Sequence, residues 1–440
     1  MNGRRQGPIH RRGNQNGVTN SWSEWGLLLA ASGLVISLGG THPLAWSSVG
    51  LAVLALFVTS LWRGLLEQEG IVVAGLWPAL FLVYCGLCVF RSSVPARSVF
   101  FVSQWSIYVA AAAVGFFCMR RGGGETLRVG LIALGAAESL FGLYQFLTGC
   151  KWIFWYEKIK YLEDATGTYI NHNHFAGFLI MVLPLTLVTG VSSQRSNGIM
   201  YLGAAGLMML ALLFSRSRMG LVAGLVPLAL LGVYFFTKMR RRFAAAALLA
   251  VPLVVLLYGA WIGLKPVGER FQFLAQPGYL TAEGRLTIWK DTWQLVRQRP
   301  LLGWGPGTFP SLYPTVRTEP SDLRWMEAHN DYLQLLAELG VIGLLLFLVP
   351  MAALWRSLAR QAWREDGLTG AMEAAIAASM AGLLVHSLAD FHLYVPANAM
   401  LLMILAGMGA AGLRSGRAIC PLQASDRPPV SQQPGGAQFP

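Results

Sequence analysis

The sequence predicts an all-α polytopic membrane protein with about 12 transmembrane helices and one long outer loop. Of its 440 residues, 55% are hydrophobic and only 12% are charged, whereas an average soluble domain carries roughly 25% charged residues. The mean hydropathy is +0.50. So few charged residues are not enough to keep the surfaces of soluble domains hydrated. The composition therefore excludes an ordinary cytoplasmic enzyme, a disordered chain and a nucleic-acid-binding domain.

Apolar segments long enough to cross a bilayer are the second observation. A helix spans the hydrocarbon core in about 20 residues. The predicted spans are 25–40, 44–62, 71–90, 99–118, 127–147, 175–191, 198–214, 219–237, 243–263, 332–355, 370–388 and 394–413. They divide the chain into a basic N-terminal segment (1–24), helices 1–9 (25–263), a loop (264–331), helices 10–12 (332–413) and a tail (414–440) that we expect to be disordered.

The distribution of basic residues predicts the orientation in the membrane. The net charge is +13. The segments on the same side of the membrane as the N-terminus hold 19 Lys and Arg residues, whereas the short segments on the opposite side hold 7. Positive charge collects on the cytoplasmic side, and long loops count little in this rule. We therefore expect both termini to be cytoplasmic and the loop 264–331 to lie outside.

Apolar residues recur at helical spacing within the long loop, at Leu286, Trp289, Trp293 and Val296. This spacing predicts an amphipathic helix that lies on the membrane surface or caps the helix bundle. The glycines at 303–307 then predict a turn, because no Gly-Lys-Ser/Thr follows them to make a phosphate-binding loop.

The end of the long loop carries a candidate for acid–base chemistry. Asn330 or Asp331 is expected to cap the tenth helix, which leaves His329 at the positive end of the helix dipole. This field favours the neutral ring that a general base needs, although an interfacial histidine with satisfied hydrogen bonds would look the same in sequence. Glu338 is expected about 10 Å deeper on a similar face. An ionisable group at that depth is either functional or a satisfied polar group between helices.

Three arginines on the outer side form a second candidate group. Arg216 and Arg218 lie in the short connection between the seventh and eighth spans, where the positive-inside rule gives no reason for them, and Arg285 precedes the amphipathic helix. Guanidinium groups grip a pyrophosphate with paired hydrogen bonds, which lysine does less well. Snorkelling to the membrane interface is the alternative role for such arginines.

Five segments on the outer side combine polar and small residues in a recognisable order. They are Asn171-His172-Asn173 with Ala176; Ser217-Arg218-Met219-Gly220; Gly284-Arg285-Leu286 with Trp289; His329-Asn330 with Tyr332, Leu333 and Glu338; and His386-Ser387 with Asp390-Phe391. In order, spacing and common side they resemble motifs of the O-antigen ligase and O-antigen polymerase superfamily. The resemblance covers residues 165–395 of the chain.

The resemblance implies a GT-C-like fold and a membrane glycosyltransferase that needs no metal, cofactor or ATP. Such ligases pass a glycan from undecaprenyl diphosphate, with inversion, to a lipid A-core sugar hydroxyl at the periplasmic face of the bacterial inner membrane. By similarity, Arg218 and Arg285 are catalytic residues that bind the diphosphate, and His329 orients or deprotonates the acceptor hydroxyl. The residues implied in substrate binding are Arg216, Asn171, Asn173, Asn330 and Glu338.

Two alternatives remain at this stage. The superfamily also contains O-antigen and exopolysaccharide polymerases, whose acceptor is a growing polysaccharide, and protein O-oligosaccharyltransferases. A different class is a transporter, such as a bicarbonate carrier-like protein, which would use Glu138 and Glu338 along a path.

The arginine motif aligns with Arg216 or Arg218, and Arg218 is preferred because Met219-Gly220 follows it. Beyond donor and acceptor, we expect membrane lipids as partners and no nucleic acid.

Overall fold

The computed structural model describes residues 16–66, 76–121, 123–193, 195–240, 282–318 and 325–415. Within them lie 13 α-helices. The helices are α1 (Asn16–Ile36), α2 (Pro43–Leu66), α3 (Leu76–Val89), α4 (Pro95–Arg120), α5 (Glu125–Thr148), α6 (His172–Ser192), α7 (Arg195–Phe214), α8 (Arg218–Thr237), α9 (Ala282–Gln298), α10 (Phe309–Val316), α11 (Asp331–Arg364), α12 (Gly367–His386) and α13 (Pro396–Ser415).

Short elements complete the described part of the chain. Between α5 and α6, β1 (Trp152–Ile153) pairs antiparallel with β2 (Tyr156–Glu157). Single 3-10 turns at Leu38–Gly40 and His392–Tyr394 connect α1 to α2 and α12 to α13. The sequence patterns predicted neither the hairpin nor the eight-residue helix α10.

Nine of the described helices are long and apolar enough to cross a membrane: α2, α4 to α8, and α11 to α13. The first and third predicted spans fall on α1 and α3, which contain the shorter apolar segments Trp22–Ile36 and Trp77–Val89. Eleven of the 12 predicted spans therefore coincide with described helices, and the all-α polytopic fold is confirmed. The ninth predicted span (243–263) lies outside the described residues, as does the tail from residue 416.

The segment 241–281 is bounded by described residues at opposite ends of the bundle. Asp366 precedes α12, and Asp390 follows its other end. Lys238, just after α8, lies 2.8 Å from Asp366. Arg285, in the first turn of α9, lies 3.9 Å from Asp390. Lys238 and Arg285 therefore lie at opposite ends of α12.

The interior of the bundle is formed by α6, α12 and α13. Of their apolar stretches 89%, 78% and 89% are buried, against 17% for α2. Helix α13 packs closely on α4, because Gly407 allows the two backbones to touch. A Cβ atom at Gly407 would lie 2.0 Å from the carbonyl oxygen of Ala112. Small residues permit such close approach between membrane helices.

Helix α11 is broken at Gly340, whose φ of 66° and ψ of −174° are not helical. The loop before α10 fills this break with backbone hydrogen bonds. The amide of Gly305 donates to Glu338 O (2.8 Å), and the amide of Val341 donates to Pro300 O (2.9 Å). Because these bonds satisfy the freed backbone groups, the break is tolerated inside the protein. They also fix the outer loop to the start of α11.

The predicted amphipathic helix in the outer loop is present as α9, but its predicted buried face is wrong in part. Leu286 and Trp293 are about half exposed. Val296 is buried as predicted, and the other buried positions are Ile288, Asp291, Thr292 and Leu295, which recur at helical spacing. Asp291 is buried because its carboxylate accepts hydrogen bonds from the side chains of Tyr313 and Thr318, at 3.2 and 2.9 Å. Partners from elsewhere in the loop thus decide which face turns inward.

Candidate active site

Asp390 lies at the centre of a buried cluster where α12 turns towards α13. One of its carboxylate oxygens, Oδ1, is 3.4 Å from Nδ1 of His329 and 4.0 Å from Nε2 of His174. The other, Oδ2, is 3.9 Å from Nη2 of Arg285. The amide of Phe391 donates to Oδ1 at 3.0 Å. Helices α6 and α9 and the residue pair before α11 therefore present basic side chains to one carboxylate.

The cluster keeps Asp390 ionised. Burial alone would raise the pKa of this carboxyl group. The hydrogen bond from His329 and the positive charge available on His329, His174 and Arg285 outweigh burial, so the pKa of Asp390 lies well below its usual value. Asp390 is thus a fixed negative charge against which the basic groups are oriented.

His329 immediately precedes α11 and has a left-handed backbone conformation, with φ of +53°. This conformation is uncommon for a residue with a side chain, and such residues cluster at functional sites. The ring is buried and contacts the edges of Trp325 and Phe391, with centroids 6.0 and 4.8 Å away. Because a carboxylate only accepts hydrogen bonds, Nδ1 carries the proton shared with Asp390. In the neutral ring, Nε2 is then the acceptor.

The start of α11 is fixed to the α12–α13 connection. Of the two predicted capping residues, Asn330 caps the helix by accepting from the amide of Leu333 at 3.0 Å. The amide of Asp331 donates to Ser387 O (3.0 Å) and Asp390 O (3.2 Å). These bonds hold His329 and Asp390 in register although 61 residues separate them in sequence.

Arg285 reaches the cluster from the first turn of α9. The indole Nε1 of Trp289, one turn further on, donates to Ala328 O at 3.1 Å, which ties α9 to the residue before His329. The Nε atom of Arg285 is buried and has no hydrogen-bond partner among the described residues. Within the described ranges its one charged contact is with Asp390 at 3.9 Å, so guanidinium donors remain available there for an anion.

The two arginines between α7 and α8 have different surroundings. Arg216 forms ion pairs with Glu163 and Asp164, at 3.1 and 3.5 Å. Arg218 is exposed and is the first residue of α8. The cap of α8, Ser217, donates through its hydroxyl to Asn173 Oδ1 at 2.7 Å. Arg218 therefore lies beside the start of α6, the helix that carries His174.

The remaining predicted substrate-binding residues make intramolecular contacts. Asn171 caps α6 by accepting from the amide of Asn173 at 2.9 Å. The buried carboxylate of Glu338 accepts from the amides of Gly307 (2.7 Å) and Phe309 (3.0 Å) and from Tyr394 Oη (2.9 Å). These contacts hold the outer connections in place around the cluster.

Sequence reasoning placed neither Asp390 nor three of its neighbouring histidines in the site. His174, His386 and His392 are buried, and the rings of His386 and His392 lie 4.2 Å apart. The available signals were the segment His386-Ser387 with Asp390-Phe391, to which the sequence alone assigned no role, and the density of two of the seven histidines and Asp390 within residues 386–392. No group of three or more His, Cys, Asp or Glu side chains in the described ranges has an arrangement that would hold a metal ion.

Apolar helices crossing a membrane, with a buried Asp–His–Arg cluster at one end, define a polytopic membrane protein with a candidate catalytic centre. Residues 203–348 match the family described as O-antigen ligase. The match confirms the predicted resemblance to the O-antigen ligase superfamily. It contains Arg216, Arg218, Arg285 and His329, and it supports a membrane glycosyltransferase-like activity on lipid-linked polysaccharide. A search among curated proteins found no match.

Proposed function

We propose that this protein transfers a glycan from undecaprenyl diphosphate to a sugar hydroxyl of lipid A-core at the outer face of the bacterial inner membrane. The observation that carries the proposal is the meeting of His329, Arg285 and Asp390 at one end of the bundle, at 3.4 and 3.9 Å. A base and an anion-binding group thus lie on either side of one carboxylate. Acyl or glycosyl transfer to a hydroxyl needs both.

His329 is the proposed general base. With Nδ1 donating to Asp390, Nε2 accepts the proton of the acceptor hydroxyl as its oxygen attacks the anomeric carbon. Asp390 fixes the tautomer and stabilises the imidazolium that forms. Positioned proton transfer of this kind contributes about 10²–10⁴-fold to a rate.

Arg285 and Arg218 are the proposed ligands of the diphosphate. The new bond joins the acceptor oxygen to the anomeric carbon, and the bond from that carbon to the diphosphate oxygen breaks. Negative charge then grows on the leaving diphosphate, where guanidinium donors stabilise it. Attack from the opposite side inverts the anomeric centre, and because the diphosphate bond supplies the driving force, the step requires neither ATP nor a metal. Arg218 is preferred over Arg216, because Met219-Gly220 follows it.

The proposed orientation places this cluster on the periplasmic side and both termini in the cytoplasm, as the distribution of basic residues predicts. The loop 264–331 is then the periplasmic catalytic loop, because it carries Arg285 and His329. Cysteine replacements at the exposed positions 315 and 240 test this orientation with a membrane-impermeant reagent. We expect labelling at 315 in intact cells and at 240 only after permeabilisation, and the reverse pattern would contradict the orientation.

A polymerase that uses the same donor remains the second candidate, because the proposed base and diphosphate ligands are common to both reactions. A transporter is less well supported. The two membrane-buried carboxylates that would line its path are bound within the protein: Glu138 accepts from the amide and hydroxyl of Thr168, both at 2.8 Å, and Glu338 anchors the outer loop.

Reconstitution tests the proposal directly. The purified protein in proteoliposomes receives an undecaprenyl-diphosphate glycan without ATP, together with lipid A-core in one sample and without it in another. We expect glycan-bearing lipid A-core as the product, and His329→Gln as the inactive control. Elongation of the carrier-linked glycan without lipid A-core would favour the polymerase. If an intact donor gave neither transfer to lipid A-core nor elongation of the carrier-linked glycan, the proposed enzymatic function would be contradicted.

A further inference from the structure

Asp390 lies beside two histidines, and the proposed reaction uses only one of them. His174, in the first turn of α6, places Nε2 4.0 Å from the same Oδ1 atom that His329 contacts at 3.4 Å. His174 is buried, and its Nε2 has no hydrogen-bond partner in the described part of the chain. Burying an imidazole nitrogen without a partner costs free energy, so its presence here calls for an explanation.

Phe391 fixes the two rings on a common support. The His174 ring meets Phe391 edge to face with a centroid distance of 4.6 Å and an angle of 80°, and the His329 ring does so at 4.8 Å and 77°. A shift of Oδ1 by about 1 Å towards α6 brings His174 Nε2 into hydrogen-bond range. The carboxylate of Asp390 is therefore within reach of both donors.

The backbone of His174 is fixed by neighbouring helices. Its carbonyl oxygen accepts from Asn398 Nδ2 at 2.9 Å, and its amide donates to Asn171 O at 3.1 Å. The side chain thus projects from a rigid position into the cluster. This geometry suits a residue that acts on Asp390 and not one that moves with a substrate.

We propose that His174 is a positioning residue that shares Oδ1 of Asp390 with His329, so that the carboxylate orients the base without retaining its proton. The proposal rests on the proposed function in one respect, namely that His329 is the base. A carboxylate oxygen that accepts from two donors attracts each of them less strongly. His174 thereby limits how firmly Asp390 stabilises the imidazolium of His329, and the base returns to its neutral form for the next reaction.

The other charged or titratable groups around Asp390 come from different elements and act at different atoms. Arg285, on α9, contacts Oδ2. Asp331, on α11, bonds through its amide to the backbone carbonyl of Asp390. His386 and His392, at the α12–α13 connection, contact each other, and His392 also contacts Asn398. Replacement of His174 therefore changes the donors at Oδ1 and removes the ring contacts of His174 with Phe391 and His392, and it leaves these other contacts in place.

Nuclear magnetic resonance of the ¹⁵N-histidine-labelled protein in detergent measures the sharing without any substrate. Only seven histidines contribute signals, and the His329→Gln variant identifies those of His329. In His174→Ala, we expect the change of the His329 signals to occur about 0.5–1 pH unit higher than in the wild type, since Asp390 then attracts His329 alone. His174→Gln keeps an Nε2 donor and should follow the wild type.

His172→Gln is the matched control, two residues away on the same helix. Nδ1 of His172 lies 2.9 Å from Asp164, which belongs to a different cluster. This variant should leave the His329 signals at their wild-type pH. Coincident His329 titrations in the wild type and His174→Ala would overturn the proposal, as would equal shifts in His174→Ala and His172→Gln.

The rate of glycan transfer provides the second measurement. In His174→Ala, the acidic limb of the pH–rate profile should move upward by the same 0.5–1 unit, about a three- to tenfold loss below the midpoint, while the plateau rate at high pH stays within about threefold. A merely structural role would lower the plateau and leave the limb in place. If the wild type transfers no glycan, the proposed function fails, while the resonance experiment still decides whether His174 shares Asp390.

Discussion

Two clusters of the same three residue types lie near the start of α6, and they differ in how completely they are paired. In the first, which we call the closed cluster, Asp164 lies 2.9 Å from His172 and 3.5 Å from Arg216. In the second, the open cluster, Asp390 lies 3.4 Å from His329 and 3.9 Å from Arg285. Both aspartates are buried.

The closed cluster satisfies its members with further partners. Nδ1 of His172 also contacts Ser215 O at 2.7 Å, and its ring stacks on Tyr161. Arg216 also pairs with Glu163. Lys158 donates to the backbone of Asp164, and burial lowers the pKa of this lysine. These contacts hold the segment after the hairpin against the α7–α8 connection.

The open cluster retains unused hydrogen-bonding capacity. Asp390 Oδ2, Arg285 Nε and His174 Nε2 are buried without hydrogen-bond partners among the described residues. Unpaired buried polar atoms cost roughly 1–3 kcal/mol each. The same residue types thus serve stability where they are fully paired, and they are available for a ligand where they are not. We expect substitutions in the two clusters to separate stability from activity.

The largest expected effect is the loss of transfer in His329→Gln. The amide retains hydrogen bonding but does not act as a base near neutral pH. We expect a rate loss of about 10²–10⁴-fold, close to that of His329→Ala. The assay measures transfer from a purified carrier-linked glycan. Near-normal transfer by His329→Gln would leave only an orienting role, and near-normal transfer by His329→Ala would remove His329 from the site.

Arg285→Ala and Arg216→Ala form a matched pair across the two clusters. Arg285→Ala should reduce transfer by about 10²–10³-fold, because one donor to the departing diphosphate is lost, while the protein still accumulates in the membrane. Arg285→Lys should recover part of the rate, since lysine keeps the charge without the paired donors. Arg216→Ala should instead lower the unfolding temperature and keep most of the transfer rate per folded molecule. If Arg216→Ala abolished transfer and Arg285→Ala mainly lowered the unfolding temperature, the proposed roles of the two clusters would be wrong.

Asp164→Asn should produce the largest loss of stability. It leaves the buried pairs to His172 and Arg216 without their negative partner, which costs about 3–5 kcal/mol in a buried ion pair. We expect the unfolding midpoint in detergent to fall by about 5–10 °C. His172→Gln is expected to have a smaller effect because Ser215 O remains as a partner. An Asp164→Asn protein as stable as the wild type would show that the closed cluster has no structural role.

The sequence predicted the elements well and their contacts only in part. Apolar length is readable from sequence, so 11 of the predicted spans coincide with described helices, nine of which are long and apolar enough to cross a membrane. The cap at Asn330 was also predicted, because capping depends on residues three apart. The buried face of α9 was predicted only in part, since Asp291 is satisfied by Tyr313, 22 residues away. Asp390 was not placed in the site, because its contact with His329 arises from the packing of separate helices.

The smallest expected effect concerns the pH dependence of stability in the open cluster. The pKa of Asp390 lies well below its usual value because His329, His174 and Arg285 outweigh the opposing effect of burial. A carboxyl group whose pKa is lowered on folding contributes stability above its unfolded pKa of about 3.9, and this contribution is lost as the pH falls through the lower folded value. Between pH 5 and 8, Asp390 therefore stays ionised.

Asp390→Asn should accordingly unfold about 2–4 °C below the wild type. This difference between the two unfolding midpoints should persist from pH 8 down to pH 5. Because Asp390 stays ionised throughout this range, the difference should be about as large at pH 5 as at pH 8. Thermal unfolding of the wild type and Asp390→Asn in the same detergent measures it. A difference that closes by pH 5 would mean that Asp390 takes up its proton in that range. The carboxylate would then be too weakly held by its three basic neighbours to orient His329 as proposed.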